Sequence, residues 1–504
     1  MTAIRPRVPA DLHPSAAGSA LRPVLALVGQ VLIAVAGIMW LPLLVDLQAG
    51  DRGWLAFAWS SVIAATIGLL LTRGGGARRL RQSGLGRRQA FLLTPLAWLA
   101  VAAVSALPFL FSGHPQLGGH LTHAVFESVS GITTTGATVI TGLDRVAPGL
   151  LLWRALLQWL GGIGIIATAI AILPTLGVGG MQLFRTESSD NAPKAMPRVR
   201  QIVITIGLVY AGLTALAAAA YWLAGMAPLD AVIHALSSIA TGGHGSTDDS
   251  FARWQDSPMV WLAVVFMLAG AIPFVLYVRL IAGDRRALLD HQVRTLLVLI
   301  FVVTVLVALW LWANNHYGPA DAFRYAAFTV VSIVTTTGYA LTDHSHWGNA
   351  MTGLLFVLMF VGGCTGSTSG GLKIFRLEVM AIMLRSHIRS LLYPRGVFPT
   401  TYDHRPISAD VIGSVVAFVV VFFLCYAAGT IALMALDLDF LTSASAAASA
   451  LANVGPGLGD VIGPNGNYAA LPDTAKWLLA ALMLLGRLEI FTVLILFTPR
   501  FWRG

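Results

Sequence analysis

The chain has 504 residues, of which 57% are hydrophobic and 11% are charged, and its formal net charge is +9. A soluble protein usually carries about a quarter of its residues as Asp, Glu, Lys and Arg, so this composition excludes an ordinary soluble domain. The basic residues cluster in short segments such as Arg73 to Arg88. That clustering indicates cytoplasmic loops beside anionic lipid and argues against a nucleic-acid partner.

Long apolar runs recur along the chain, and a bilayer-spanning helix needs roughly 20 mostly apolar residues. We predict an all-α polytopic membrane protein with ten spans, at about residues 22–46, 54–72, 91–111, 149–176, 199–225, 257–282, 292–313, 348–393 (interrupted), 408–435 and 474–498. Basic residues mark both chain ends and every second connection, namely Arg5, Arg7 and Arg22, Arg73 to Arg88, Arg185 to Arg200, Arg279 to Arg294, Arg385 to Arg405, and Arg500 and Arg503. Because loops rich in Lys and Arg stay in the cytoplasm, both termini are predicted to be cytoplasmic.

Four connections on the external side begin with a short apolar or amphipathic stretch. These stretches are "LTHAVFESVSG", "LDAVIHALSS", "ADAFRYAAFTVVS" and "LTSASAAASA". Each is too short to cross a bilayer as a helix. We therefore predict four re-entrant helices that enter the membrane from outside.

A related polar sequence follows each predicted re-entrant helix. The four sequences are "ITTTGAT", "IATGGHG", "IVTTTGYA" and "LANVGPG", and they share Gly136, Gly243, Gly338 and Gly455 at separations of 107, 95 and 117 residues. Internal similarity at a roughly constant period indicates duplicated structural units. The sequence therefore predicts four repeats, each made of a span, a short helix, a glycine hairpin and a second span.

Non-helical backbone at membrane depth must be enclosed by protein or line a water-filled path. Four hairpins around one axis can point backbone carbonyls inward and replace the water shell of a cation. No acidic residue lies in the four hairpins, whereas calcium prefers several carboxylate oxygens. The pattern therefore favours a weakly hydrated monovalent ion, with potassium the best fit and sodium the alternative.

The four hairpins resemble the selectivity filters of the Trk/Ktr/HKT superfamily of potassium transporters, and the two additional N-terminal spans make the bacterial TrkH type the most similar. The resemblance implies four pseudo-symmetric span–pore helix–filter–span repeats around one pore, in a homodimer in the bacterial inner membrane. It implies potassium coordination by Thr134, Thr135 and Gly136; Thr241, Gly242 and Gly243; Thr336, Thr337 and Gly338; and Asn453, Val454 and Gly455.

The chain divides on this basis into an N-terminal two-span region and four pore repeats. The boundaries are 1–88, 89–182, 183–285, 286–395 and 396–504. Potassium is expected as the transported ion, and no cofactor is expected. The resemblance also implies a separate regulatory partner, a cytoplasmic ring of nucleotide-binding Rossmann subunits of the TrkA type.

The eighth span is interrupted by "FVGGCTGSTSGGLKIFRLE", Phe360 to Glu378. Its glycines cannot form a stable helix interior, so a broken helix that lines a cavity is predicted. The family resemblance implies an intramembrane gating loop that includes Gly362, Gly363, Gly366, Gly370, Gly371 and Lys373. A phosphate-binding loop is disfavoured, because Leu372 separates the glycines from the lysine and no strand precedes them.

The last span contains Arg487 and Glu489. A charge inside a span is costly and is a functional hypothesis by default. The resemblance implies that Arg487 faces the permeation path beneath the filter as an electrostatic barrier. A purely structural alternative is that Arg487 pairs with Glu489 or Glu378, and the two roles are compatible.

Several other polar residues are candidates for a functional site. His244 follows the second hairpin and is interpreted as a polar packing residue, with titration at the pore mouth as the alternative. His114, His120 and His123 precede the first hairpin, and ordinary packing is favoured there over a metal site. Glu127, in the first re-entrant helix, is predicted to accept hydrogen bonds from neighbouring backbone.

Three function classes remain, and the sequence ranks them. A membrane enzyme is the weakest, because neither HExxH nor GxSxG occurs. A sodium- or proton-coupled secondary transporter is the alternative, although such transporters are typically built from inverted repeats. The four repeats here all enter from one side, which favours a gated, channel-like pore for potassium uptake.

Overall fold

The computed structural model describes residues 16–74, 86–171, 195–314, 317–403 and 405–503. Arg5, Arg7 and most of the basic segments 73–88 and 185–200, which carry part of the topology prediction, lie outside these ranges. Within them the backbone is helical or irregular, apart from one antiparallel pair of two-residue strands and one isolated bridge. The strands are Thr401–Tyr402 and Arg405–Pro406, and Thr401 pairs with Pro406.

The N-terminal region consists of three helices, Ala16–Ile38, Trp40–Ala49 and Trp54–Gly74. Gly29 and Gly68 lie at the crossing of the first and third, where a Cβ on Gly29 would come within 2.6 Å of the Gly68 carbonyl oxygen. Small residues of this kind let two membrane helices approach closely. Asp46 Oδ1 accepts a hydrogen bond of 2.6 Å from the N–H of Gly149, which ties this region to the start of a later helix.

Four successive groups of helices follow. Each group consists of a long helix, a short helix and a third helix, which we call the outer, short and inner helices. The outer helices are Arg87–Ser105 (extended by Leu107–Phe111), Ala195–Leu223, His291–Ala313 and Ala409–Met434. The short helices are Leu121–Ile132, Pro228–Ala240, Pro319–Val334 and Phe440–Ala452. The inner helices are Pro148–Ala171, Met259–Ala271 with Phe274–Ile281, Asn349–Leu358 with Ile374–Leu392, and Asp473–Arg487 with Ile490–Leu494, and Pro499–Arg503 ends the chain.

Short 3₁₀ helices fill several connections. They are Leu143–Arg145, Ala252–Trp254, Arg285–Leu289, His344–Trp347, Tyr468–Ala470 and Ile495–Phe497. Four of them, the first, second, fourth and fifth, lie between a short helix and the inner helix that follows it.

Local sequence explains where the short helices begin. Pro228 and Pro319 occupy the first helical position, where the missing N–H of proline costs nothing. Asp439 caps the fourth short helix, accepting a 3.0 Å hydrogen bond from the N–H of Thr442. The hydrogen bonds from Thr442 hold the pKa of Asp439 below its ordinary value, so the carboxylate cap persists at neutral pH.

Seven helices in the described ranges are long and apolar enough to span a membrane, and nine do so if each bent pair counts as one span. The spans at 257–282 and 474–498 were predicted without an interruption, whereas the helices there are broken by bends of 93° and 109°. Pro273 forces Ile272 out of helical geometry at the first bend, and Glu489 has a left-handed φ of 60° at the second. The predicted interruption of 348–393 is confirmed by the non-helical residues between Leu358 and Ile374.

Candidate functional site

The four hairpins that end the short helices share one backbone conformation. The first residue of each has a left-handed φ, with values of 54° at Thr134, 50° at Thr241, 58° at Thr336 and 57° at Asn453. The third is a glycine with positive φ, with values of 83° at Gly136, 81° at Gly243, 80° at Gly338 and 111° at Gly455. A non-glycine residue at such angles is strained and is seen mainly where the surroundings enforce it.

A serine six residues before each hairpin glycine holds the turn. The N–H of the middle hairpin residue donates to the carbonyl of this serine, over 2.9 Å from Thr135 to Ser130, 3.0 Å from Gly242 to Ser237, 2.8 Å from Thr337 to Ser332 and 3.0 Å from Val454 to Ser449. All four serine side chains are buried. The predicted site residues did not include this serine, although it stands four residues before Thr134, Thr241, Thr336 and Asn453 in the sequence.

The four hairpin glycines close into a ring. A Cβ on each would collide with the middle-residue carbonyl oxygen of the next hairpin, from Gly136 to Gly242, Gly243 to Thr337, Gly338 to Val454, and Gly455 to Thr135. The order returns to its starting hairpin, so the four segments surround one common centre. We call Gly136, Gly243, Gly338 and Gly455 the glycine ring. Glycine is required at these positions because backbone angle and space both exclude a side chain.

Several threonine hydroxyls near the ring form hydrogen bonds with other protein groups. In the first and third hairpins, hydroxyl pairs join Thr133 to Thr135 at 2.7 Å and Thr335 to Thr337 at 2.8 Å. Asn453 Nδ2 donates to Thr135 Oγ1 at 2.9 Å and so links the fourth hairpin to the first. The two hydroxyl pairs stabilise their own hairpins and the Asn453 bond holds two hairpins together, because buried polar groups are costly to leave unpaired.

A cavity of about 80 Å³ lies directly against one face of the ring. Its lining includes three ring glycines and residues that follow the hairpins, among them His244 and Asp248. Arg154 also lines it and forms a buried ion pair with Glu127 at 3.1 Å. Glu127 accepts a 2.7 Å hydrogen bond from the N–H of Val139, which confirms the predicted backbone contact.

The residues between Leu358 and Ile374, which we call the interrupting loop, lie against the other face of the ring. The N–H of Gly370 donates to Thr336 Oγ1 at 2.7 Å, and Thr241 Oγ1 donates to Thr368 Oγ1 at 3.1 Å. A Cβ on Gly370 would collide with the carbonyl oxygen of Ala452. The loop therefore contacts the second, third and fourth hairpins from the side on which the short helices end.

The loop glycines have two different structural uses. Gly366 and Gly371 have positive φ values of 84° and 65°. Gly362 and Gly363 adopt ordinary angles but lie where a Cβ would clash, Gly362 with the Gly370 carbonyl and Gly363 with Ser369 Oγ at 2.8 Å. Tight backbone packing thus closes the loop on itself.

Two positively charged side chains lie in or near this loop. The Lys373 side chain is buried and donates to the carbonyl of Ser369. Arg487 is 3% exposed, and within the described residues none of its three guanidinium nitrogens has a hydrogen-bond partner.

The predicted pairing of Arg487 with Glu489 or Glu378 was wrong. Glu489 pairs with Arg376, while Glu378 accepts hydrogen bonds from His291, Thr295 and Tyr402.

The three histidines before the first hairpin, His114, His120 and His123, contact other protein groups. His123 contacts the carbonyl of Gln116 at 2.7 Å through Nδ1, and its Nε2 lies 2.9 Å from the ammonium nitrogen of Lys476. In the described part of the chain no three His, Cys, Asp or Glu side chains are grouped as metal ligands. His244 is buried beside the ring, and its backbone N–H donates to Gln158 Oε1 at 3.1 Å.

The fold and the ring define a polytopic membrane protein with four hairpins around one centre. Comparison with known proteins is consistent with this class. The TrkH family profile, described as a cation transport protein, matches residues 61–503. The chain therefore belongs to the TrkH family.

Individual relatives match over almost their whole length. The Trk system potassium uptake protein TrkI of Halomonas elongata is 49% identical over 95% of this chain and 97% of the relative. TrkH of Escherichia coli K12 is 37% identical over 96% and 99%. The crystal structure of the potassium transporter TrkH from Vibrio parahaemolyticus superimposes with a TM-score of 0.87 at 34% identity, covering 96% of this chain and 100% of that one.

Proposed function

We propose that this chain takes up potassium across the bacterial inner membrane through a gated, channel-like pore. The observation that carries the proposal is the cyclic closure of the glycine ring, in which each hairpin meets the next and the fourth meets the first. Rings of backbone carbonyls can replace the hydration shell of potassium. The Trk system relatives are named as potassium uptake proteins, which supports the same ion.

The three residues of each hairpin form the proposed filter. The four short helices are its pore helices, and each ends at its hairpin, so the negative end of the helix dipole faces the ion. No Asp or Glu lies within the twelve filter residues, which favours a weakly hydrated monovalent ion. The cavity against the ring is the external vestibule of the pore, and the division into a two-span region and four repeats belongs to this proposal.

The interrupting loop and Arg487 form the proposed gate. The loop blocks the ring on the inner side through its contacts with three hairpins. Arg487 adds a positive charge that is buried and has no hydrogen-bond partner among the residues that the structure describes, and this charge repels cations. A homodimer and a cytoplasmic TrkA-type nucleotide-binding partner complete the proposal, and the exposed basic residues between Arg385 and Arg405 offer a docking surface on the cytoplasmic side.

Complementation tests the proposal against its sodium- or proton-coupled alternative. A bacterium that lacks potassium uptake should grow on low potassium when it expresses the wild-type chain, and growth should persist without sodium. Proteoliposomes should then carry rubidium current that follows its electrochemical gradient at fixed pH. Uptake that requires a sodium or proton gradient would instead establish the coupled transporter.

A further inference from the structure

The second hairpin is held differently from the other three. In those three, the serine hydroxyl donates to a carbonyl of its own hairpin segment, from Ser130 to Ala137 at 2.6 Å, Ser332 to Tyr339 at 2.7 Å, and Ser449 to Gly455 at 2.7 Å. Ser237 donates instead to Gln158 Oε1, at 2.6 Å. The second hairpin therefore depends on a side chain from the first inner helix.

Gln158 uses both ends of its amide on this hairpin. Its Nε2 donates to the Gly242 carbonyl at 2.6 Å, and its Oε1 accepts from Ser237 Oγ and from the N–H of His244 at 3.1 Å. The side chain is fully buried, so solvent cannot replace these bonds. The Gly242 carbonyl is also one of the four that meet the glycine ring.

Gly242 is a glycine because of Gln158. Its φ is not positive, so backbone conformation does not demand glycine there. A Cβ on Gly242 would collide with the Gln158 side chain. Thr135 and Thr337 occupy the same position in the first and third hairpins, where their hydroxyls pair with neighbouring threonines. The glutamine amide thus fills the place of a threonine side chain.

The second and fourth inner helices have no amide at the matching depth. One glycine on each of three inner helices defines the matching depth. Each of these glycines packs against the carbonyl oxygen of the residue that lies four positions before a ring glycine. The pairs are Gly161 with Ile132, Gly270 with Ile239, and Gly486 with Leu451. Three residues before these glycines lie Gln158, Met267 and Met483, all of them buried. Only the first of these three helices supplies a hydrogen-bonding group at this depth.

We propose that Gln158 is a positioning residue that sets the Gly242 carbonyl and thereby the ion selectivity of the second hairpin. The inference rests on the proposed potassium pore, because selectivity depends on the number and placement of coordinating carbonyls. Without the amide, the Gly242 carbonyl, the Ser237 hydroxyl and the His244 N–H lose a buried partner, and the hairpin relaxes to satisfy them.

Rubidium uptake into proteoliposomes, with and without competing sodium, tests this role. Gln158→Met copies the residue at the matching depth and should lower the rubidium-to-sodium selectivity ratio about tenfold, since several buried hydrogen bonds are lost. Met267→Leu is the matched control and should stay within about twofold, because this swap conserves volume. An unchanged ratio in Gln158→Met, or an equal fall in Met267→Leu, would overturn the proposal.

A rescue variant separates positioning from simple packing. Gly242→Thr alone should abolish selective uptake, because its side chain collides with Gln158. Adding Gln158→Met should restore part of the selectivity, because methionine is the residue at the matching depth of the second and fourth inner helices, threonine is the middle residue of the first and third hairpins, and the unbranched methionine side chain adapts its shape. A double variant no better than Gly242→Thr alone would contradict the proposed pairing.

A milder variant covers the case in which Gln158→Met fails to fold. Ser237→Ala removes only the hydroxyl that orients the amide and should lower selectivity by a smaller factor. Potassium should raise the melting temperature of the purified wild-type protein more than sodium does, and Ser237→Ala should reduce this difference. A merely structural defect would instead lower the melting temperature equally in the two salts. An undiminished difference would reject the role of Gln158. Absence of rubidium uptake by the wild-type chain would instead reject the proposed function and this inference with it.

Discussion

Arg376 and Glu489 form a buried ion pair across 113 residues of sequence, with side chains 3% and 11% exposed. The Arg376 guanidinium also lies 3.7 Å from the centre of the Phe418 ring. The Glu489 carboxylate is the one nearest in sequence to Arg487, two residues away, and it is already paired with Arg376. Among the described residues Arg487 therefore has no ion-pair partner, and it lies close enough to Lys373 of the interrupting loop to act on it electrostatically.

Removal of the Arg487 charge should increase ion flux. Arg487→Gln keeps a polar side chain but removes the positive charge that opposes cations, so rubidium flux through the pore should rise several-fold at equal expression. Flux through Arg385→Gln, which removes an exposed arginine, should match the wild type. Wild-type flux in Arg487→Gln would show that this arginine is not a barrier.

Removal of Glu489 should destabilise the fold. Glu489→Gln leaves Arg376 buried without its counter-charge, which typically costs about 3–5 kcal/mol. Thermal unfolding in detergent measures this loss. Asp144→Asn breaks the exposed pair with Arg253, whose side chains are 58% exposed for Arg253 and 61% for Asp144, and should cost under about 1 kcal/mol. Equal melting shifts in the two variants would refute a stabilising role for the buried pair.

Release of the interrupting loop from the second hairpin should open the pore more often. The Thr368 hydroxyl lies 3.0 Å from the carbonyl oxygens of both Ile239 and Gly270, which share its single hydrogen, and it accepts from Thr241 Oγ1. Thr368→Val removes all of these bonds with little change of shape. Single-channel recording should show a raised open probability. The control is Thr365→Val in the same loop, because the Thr365 hydroxyl has no partner in the described residues. Identical gating in both variants would exclude a latch at Thr368.

We call the four buried serines that precede the hairpins, Ser130, Ser237, Ser332 and Ser449, the serine layer, and we expect them to contribute measurably to filter stability. Ser332→Ala removes the hydroxyl that donates to Tyr339 O and should cost about 1–3 kcal/mol, because a buried carbonyl is left unpaired. Ser390→Ala provides the comparison, since that hydroxyl is exposed and bonds only within its own helix. Unfolding monitored by tryptophan fluorescence would show no difference between the two variants if the serine layer were unimportant.

Local signals in the sequence predicted the repeated hairpins and the interrupted span. A turn that requires glycine and a glycine-rich break in an apolar run can both be recognised in the sequence without knowledge of tertiary contacts. The bend at Glu489 could not be recognised in this way, because a single non-glycine residue adopts the positive φ there. The bond from Gln158 to Gly242 spans 84 residues and depends on the packing of one repeat against another, so spacing alone does not reveal it.

The most direct test of the central claim is the selectivity of rubidium over sodium in four single variants, Gly136→Ala, Gly243→Ala, Gly338→Ala and Gly455→Ala. Gly353→Ala is the control, because a Cβ at this helical glycine meets nothing within 4 Å. If the four glycines surround one ion path, every ring variant should lose selectivity by at least about tenfold while the control keeps it. Wild-type selectivity in any ring variant that reaches the membrane at normal levels would contradict a shared four-sided filter.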